Sequence, residues 1–237
     1  MKTDERAFSR ADLLFCCLAG SLLFVMAASL LASNKSESQR AICFNNLRQI
    51  GRGFHVWASD HDDHLPWQVS STSLPQGGTR GSPLGFNAWG HYSVLSNTLA
   101  TPQILLCPAD TLGNKRMAAR WDTSQAGGFF NSNYRNNALS YPPLLHADAN
   151  SPSSLLSADR NFRVDQNNNA CTYVQANVCF TLFQRGSGAW TNALHGSNGH
   201  LLLMDGSVNF TTSAQLQETL LAPGQDDNGS TVHGLAP

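Results

Sequence analysis

From Leu13 to Ser33 the chain carries no charged side chain, and the polar ones in that stretch are Ser21, Ser29 and Ser33. An apolar run of this length matches the ~20 residues that a membrane-spanning helix needs. The core of a secretory signal is shorter, about 7–15 residues. Small residues at Ala27-Ala28-Ser29 and Ala32-Ser33 leave cleavage after the run as the alternative. Beyond the run the apolar positions keep a helical period. Cys43, Leu47, Ile50, Phe54 and Trp57 recur at spacings of four and three, while Arg40, Asn45, Arg48, Gln49 and Arg52 fall off that stripe. One helix from about Phe8 to about Ser59 accounts for both patterns, with Gly51 and Gly53 marking where it can bend. The segment "SDHDDHLP" ends it, because Pro66 disfavours helix in the residue before it.

Downstream the pattern changes. From Leu65 to about Asn97 the chain is rich in Gly, Pro, Ser and Thr with scattered aromatics (Trp67, Phe86, Trp89, Tyr92), which predicts a long ordered loop with one short helix around Tyr92 to Leu99. "QILLCP" (103–108) and "SSLLSAD" (153–159) read as short strands, and "CTYVQANVCFTLF" (171–183) reads as a hairpin turning at 174–176. "GHLLLMDGSVNFT" (199–211) reads as a hairpin in which Asp205 and Gly206 form a two-residue turn with positive φ. "SAQLQETLL" (213–221) is a short helix capped by Ser213. The sum is an α+β fold: a long N-terminal helix, membrane half plus amphipathic half, packed on a small antiparallel β-sheet with long loops.

Composition narrows the function classes. The charged fraction is 13% and the formal net charge −1, about half the ~25% charged residues usual for soluble domains. With no basic cluster, a nucleic-acid partner has no electrostatic footprint. Cys16 and Cys17 lie in the apolar run, leaving Cys43, Cys107, Cys171 and Cys179. In an exported domain an even number suggests two disulfides with three connectivities. The hairpin reading sets 171 opposite 179, at a separation a disulfide accepts, and Cys43–Cys107 then follows by elimination.

Three segments together carry a resemblance. "AFSRADLL" places a small residue (Ala7), then Phe8, then an acid (Asp12) at the fifth position after the cut. "CFNNLRQIGRGFHVWASDHDDHLP" joins a helix end to an aromatic, an Asp and a Pro. His195, nine intervening residues and Asp205-Gly206 make an H-x9-DG pattern. The chain thereby resembles type IV pilin-like or pseudopilin-like proteins of the planctomycete type, with a prepilin-type N-terminal cleavage/methylation motif and a C-terminal H-x9-DG domain. Ala7 stands where that family usually has Gly, and Asp12 where it usually has Glu. The resemblance implies a leader over 1–7 removed by a prepilin peptidase, a transmembrane helix over 8–33, its amphipathic continuation over 34–64, a periplasmic α+β pilin-like domain over 65–222 and a flexible tail over 223–237. It implies a single-pass protein of the inner membrane, its C-terminal domain periplasmic or extracellular. The partners implied are other pilin or pseudopilin subunits and a secretion or pilus assembly machinery. In such a filament Asp12 meets the new amine of Phe8 on a neighbouring subunit.

Other chemistry is weighed against this. "DHDDH" (60–64) offers carboxylates and imidazoles, but consecutive residues cannot all face one ion, and a solvated helix end is the simpler use. His195, Asp205 and Gly206 are read as structural members of the hairpin. Asp226, Asp227 and Asn228 supply oxygens for calcium, as some pseudopilins resembling this chain hold it in C-terminal loops; no other cofactor is expected. The chain has no Walker loop, no Gly-x-Ser-x-Gly and no His-Glu-x-x-His. A structural subunit and not an enzyme is the reading favoured. The alternative is a membrane-anchored periplasmic binding module or hydrolase using the long aromatic loop.

Overall fold

The computed structural model describes residues 10–72, 77–162, 179–184, 188–221 and 231–235. Helix α1 runs Arg10–Ser59, and the chain divides into two compact units, one ending at Gln39 and the other starting at Arg40. In the first unit Leu13, Leu14, Phe15, Leu18, Leu22, Leu23, Phe24 and Met26 are all exposed. Among the described residues no helix is long and apolar enough to cross a membrane. This corrects the expected transmembrane segment over 8–33 and the single-pass placement in the inner membrane.

The second unit is α+β. Strands β1 (Leu155–Ala158), β3 (Asn198–Leu203) and β4 (Val208–Thr212) form a three-stranded antiparallel sheet in the order β1-β3-β4. Strand alternation, with an irregularity in β1 between Leu155 and Ser157, sorts its side chains between two cores. Leu156, Leu202 and Val208 join the main core with the α1 stripe of Cys43, Leu47, Ile50, Phe54 and Trp57. Leu155, Ala158 and Leu201 join a smaller core with Leu216 and Leu220 of α3 (Ser213–Leu221). Each fully buried large apolar side chain contributes ~1.5–3 kcal/mol, so the stripe is a substantial part of the main core. The glycines in the stripe serve close approach: a Cβ on Gly51 would lie 3.0 Å from Leu202 Cδ1, and one on Gly53 would lie against the Leu99 side chain.

Local chemistry explains several departures from the pattern-based expectations. Pro102–Leu105 is a 3-10 turn, not a strand, because Thr101 Oγ1 accepts from the Gln103 amide and Pro102 sits at its start, where proline is favoured. The short helix α2 occupies Ala88–Ser93, earlier than expected. The cap of α3 is Thr212: its hydroxyl accepts from Gln215 N at 3.4 Å, and Gln215 Oε1 accepts from Thr212 N at 2.9 Å, a reciprocal capping box. Strand β2 (Cys179–Gln184) pairs antiparallel with β5 (Thr231–Leu235). The expected flexible tail over 223–237 is thus corrected for 231–235, where Leu235 is buried in the main core and its amide donates to Pro143 O. The loop aromatics are also core: Trp67 and Tyr92 are fully buried, and Tyr92 Oη donates to Tyr141 O at 2.7 Å.

The β3–β4 turn is three residues long. Gly206 N donates to Leu203 O at 3.0 Å and Leu203 N to Ser207 O at 2.9 Å, and Gly206 has φ +82°. Asp205 is outside the left-handed region, which among described non-glycine residues belongs to Asp62, Asp63, Arg135 and Ser197. Its carboxylate instead accepts from Ser207 N at 2.8 Å. The turn is therefore a type I turn closed by a glycine bulge and not the two-residue form. Gly206→Val is expected to cost at least about 1 kcal/mol. No atom crowds that position, so the loss is purely conformational; a melting temperature unchanged within ~1 °C would contradict the turn assignment.

Candidate functional site

Antiparallel pairing creates a buried polar cluster on the α1 side of the sheet. Ala158 of β1 pairs with Leu201 of β3, so Asp159, just past β1, stands opposite His200. The Asp159 carboxylate is fully buried, and its Oδ2 accepts from both the backbone N (2.7 Å) and Nδ1 (2.8 Å) of His200. His195 enters from the loop before β3. Gly196 and Ser197 are both left-handed, with φ of 64° and 62°, and reverse the chain there. Asn161 holds the loop by donating to Thr191 O and Asn198 O. His195 Nε2 comes to 3.6 Å from Asp159 Oδ2 and 3.5 Å from Cys107 Sγ. Burial pushes the His195 imidazole below its usual range, with Asp159 pulling the other way. Phe210, paired with His200 across β3–β4, lies over both imidazoles at ring distances of 4.8 and 6.3 Å, and the Arg40 guanidinium lies over Phe210.

Cys107 is bridged to Cys43, with Cα atoms 5.3 Å apart, and both residues are fully buried. A second polar network supports its backbone. Cys107 N donates to Ser140 Oγ at 3.0 Å, and that hydroxyl donates to Asp110 Oδ2 at 2.7 Å. Arg160 then grips the buried Asp110 carboxylate with two nitrogens, the bidentate form that is among the strongest charge-assisted bonds. Adjacent residues Asp159 and Arg160 thus serve two separate networks, both ending on Cys107.

Lys115 closes the second network, its ammonium donating to Asn136 O and Leu139 O. Burial lowers it from 10.5 to about 8, with the Arg160 cation adding to the shift and Asp110 opposing it. Between those values the unfolded chain binds a proton that the folded chain has released, so this lysine makes stability rise with pH across the window. The rise expected is about 1 kcal/mol after allowance for partial exposure. It ends near pH 10, the usual tyrosine value, because burial raises Tyr92 and Tyr141 and the unfolded chain ionises them first. Urea midpoints of Lys115→Met measured across the window should be flat where the parent's increase; an equal increase in both would remove the assignment.

The sequence-derived site residues fall in different places. Ala7, Phe8, Cys171, Asp226, Asp227 and Asn228 lie outside the described residues, so the cut site, the Cys171–Cys179 pairing and the calcium loop do too. Asp12 is exposed in the first turn of α1. His195 and Asp205 flank β3 at its two ends, some 20 Å apart for a strand of that length, so the H-x9-DG spacing does not bring them into one site. His195 serves a buried cluster with Asp159 and Cys107. In "DHDDH", His61 stacks on Trp57 at 3.6 Å with its Nδ1 2.7 Å from Trp57 O, and His64 Nδ1 lies 2.7 Å from Asp62 O; these are helix-end contacts. Asp159 and His200 carried no separate role in the sequence. Their signal was a polar residue at the end of one apolar strand and a histidine inside another.

The chemistry open to the cluster is limited by geometry. Cys107 Sγ and Asp159 Oδ2 face the same imidazole nitrogen, whereas a Cys-His-Asp relay needs them on opposite nitrogens. A fully buried disulfide is also shielded from exchange with an external thiolate. Among the described residues, two groups of side chains bring ligand-type atoms within 4.8 Å of one another: Cys43, Cys107 and His195, and Asp159, His195 and His200. Comparison with known protein families, with curated proteins and with solved structures finds no match.

Proposed function

We propose that the chain is a pilin-like structural subunit of an envelope filament or a type II secretion-like system, with a long N-terminal helix whose second half packs on a small sheet domain. The observation that carries this reading is the first unit of α1. Leu14, Phe15, Leu18, Leu22, Leu23 and Phe24 are each at least 64% exposed, and they lie all around the helix. Helices that are apolar on every side are stable only when covered, and a bundle of the same helices from other copies covers them fully. The second unit supports the same reading: its stripe is buried and its Cys43 is bridged to Cys107, so it has a folded core of its own. Processing by a prepilin peptidase between Ala7 and Phe8 prepares the helix for assembly, and Asp12 neutralises the new amine of Phe8 on the next subunit.

Intact-mass analysis after co-expression with a prepilin peptidase tests this. The expected product lacks residues 1–7, carries a methyl group on Phe8 and crosslinks into multimers through cysteines placed along α1. Asp12→Ala is expected to reduce those multimers at least tenfold with the fold of the second unit unchanged. An uncut chain, or one that stays monomeric after cutting, overturns the proposal.

A further inference from the structure

The geometry points to a site for one first-row divalent transition-metal ion, Zn2+ by its donor set, held by Asp159, His195 and His200. It is independent of the filament reading. The three side chains are at most 4% exposed, and their ligand atoms lie within 4.8 Å of one another. The separations of Asp159 Oδ2 from His200 Nδ1 (2.8 Å) and from His195 Nε2 (3.6 Å) bracket the ~3.3 Å edge of a tetrahedron with metal–ligand bonds of ~2.0–2.1 Å. Modest side-chain shifts bring the two Asp159 edges to that length, and the two imidazoles, with ligand atoms within 4.8 Å, close on the ion with them.

A second observation comes from the carboxylate. Asp159 Oδ1 is buried without a hydrogen-bond partner, a costly state for a charged group in the interior. A bidentate Asp159 uses this oxygen as the fourth ligand. Two imidazoles and a carboxylate suit zinc and its neighbours better than magnesium or calcium, which prefer oxygen alone. On binding, the ion takes the His200 Nδ1 lone pair in place of the hydrogen bond to Asp159 Oδ2, and the ring hydrogen moves to Nε2 of the same neutral imidazole. The bridged Cys107 sulfur beside His195 is not a ligand while oxidised, because metal ligation needs the thiolate. Access runs past Phe210, which is 40% exposed and covers both imidazoles; rotation of this ring opens the path.

The test uses the oxidised full chain, stripped by a chelator and titrated with ZnCl2 by calorimetry and with CoCl2 by visible absorption. The expected result is one ion per chain, with a cobalt spectrum typical of four-coordination. His195→Gln and His200→Gln should each weaken binding at least tenfold, while the double variant His61→Gln and His64→Gln leaves it unchanged. If either cluster variant fails to fold, the parent cobalt spectrum and the His61/His64 control still decide. Less than a tenth of an ion per chain, binding that survives both cluster substitutions, or binding lost in the helix-end control overturns the site.

Discussion

Replacing Cys43 and Cys107 together by alanine is expected to lower the unfolding free energy by about 4 kcal/mol. The bridge closes a loop with a sequence separation of 64, and the chain-entropy relation for a loop of that size gives a little over ~4 kcal/mol. The loop holds much of the main core, including Leu47, Ile50, Phe54, Trp67 and Tyr92, so without the bridge the unfolded chain gains freedom in a segment the core needs ordered. Lost packing of two buried sulfurs adds to the effect. Urea unfolding of the double variant against the oxidised parent measures it. A loss under ~1 kcal/mol would mean that the native state is strained by the bridge, or that the unfolded chain keeps the loop collapsed without it. Reduction of the parent, which keeps both sulfurs, should lower the midpoint less than the double variant does.

The second large effect is expected at Phe54, whose truncation to alanine should cost about 3–5 kcal/mol. Phe54 is fully buried, with Trp67 edge-on at 5.7 Å and Tyr92 tilted at 5.7 Å. Both neighbours are held from their far sides, Trp67 by His91 in an edge contact and Tyr92 by its hydrogen bond to Tyr141 O. They cannot collapse into the space, so the cavity persists and the upper part of that range applies. Val56, 53% exposed two residues along the same helix, is the control; Val56→Ala should stay within ~0.5 kcal/mol. Equal effects at the two positions would show that α1 is not packed through the stripe of Cys43 to Trp57.

What could be read in the sequence follows the range of the interactions involved. The stripe was legible because its spacing is a property of one helix, and every member of it is buried. α3 and the β3–β4 hairpin were legible for the same reason, since helix periodicity and a Gly-containing turn act over a few residues. The turn type was not, because Met204 and Asp205 are both donors to the loop before β1, at Ser154 O and Pro152 O, and those bonds select the three-residue form. The β2–β5 pairing joins segments some fifty residues apart, and nothing local in "TVHGL" announces its partner. The cluster at His195 shows the same limit. Its histidine was singled out by spacing to Asp205, yet its actual partners, Asp159 and Cys107, come from the register of β1 against β3 and from the bridge to α1.

The bridge also changes what a cut in this chain would do. Residues 43 and 107 are the ends of a covalent ring, and the long loop after Pro66 lies inside it. A single proteolytic nick in that loop leaves both fragments attached, so the molecule keeps its mass apart from one added water and runs as one species until a reductant is added. Damage there is silent in an oxidising compartment and becomes visible on transfer to a reducing one.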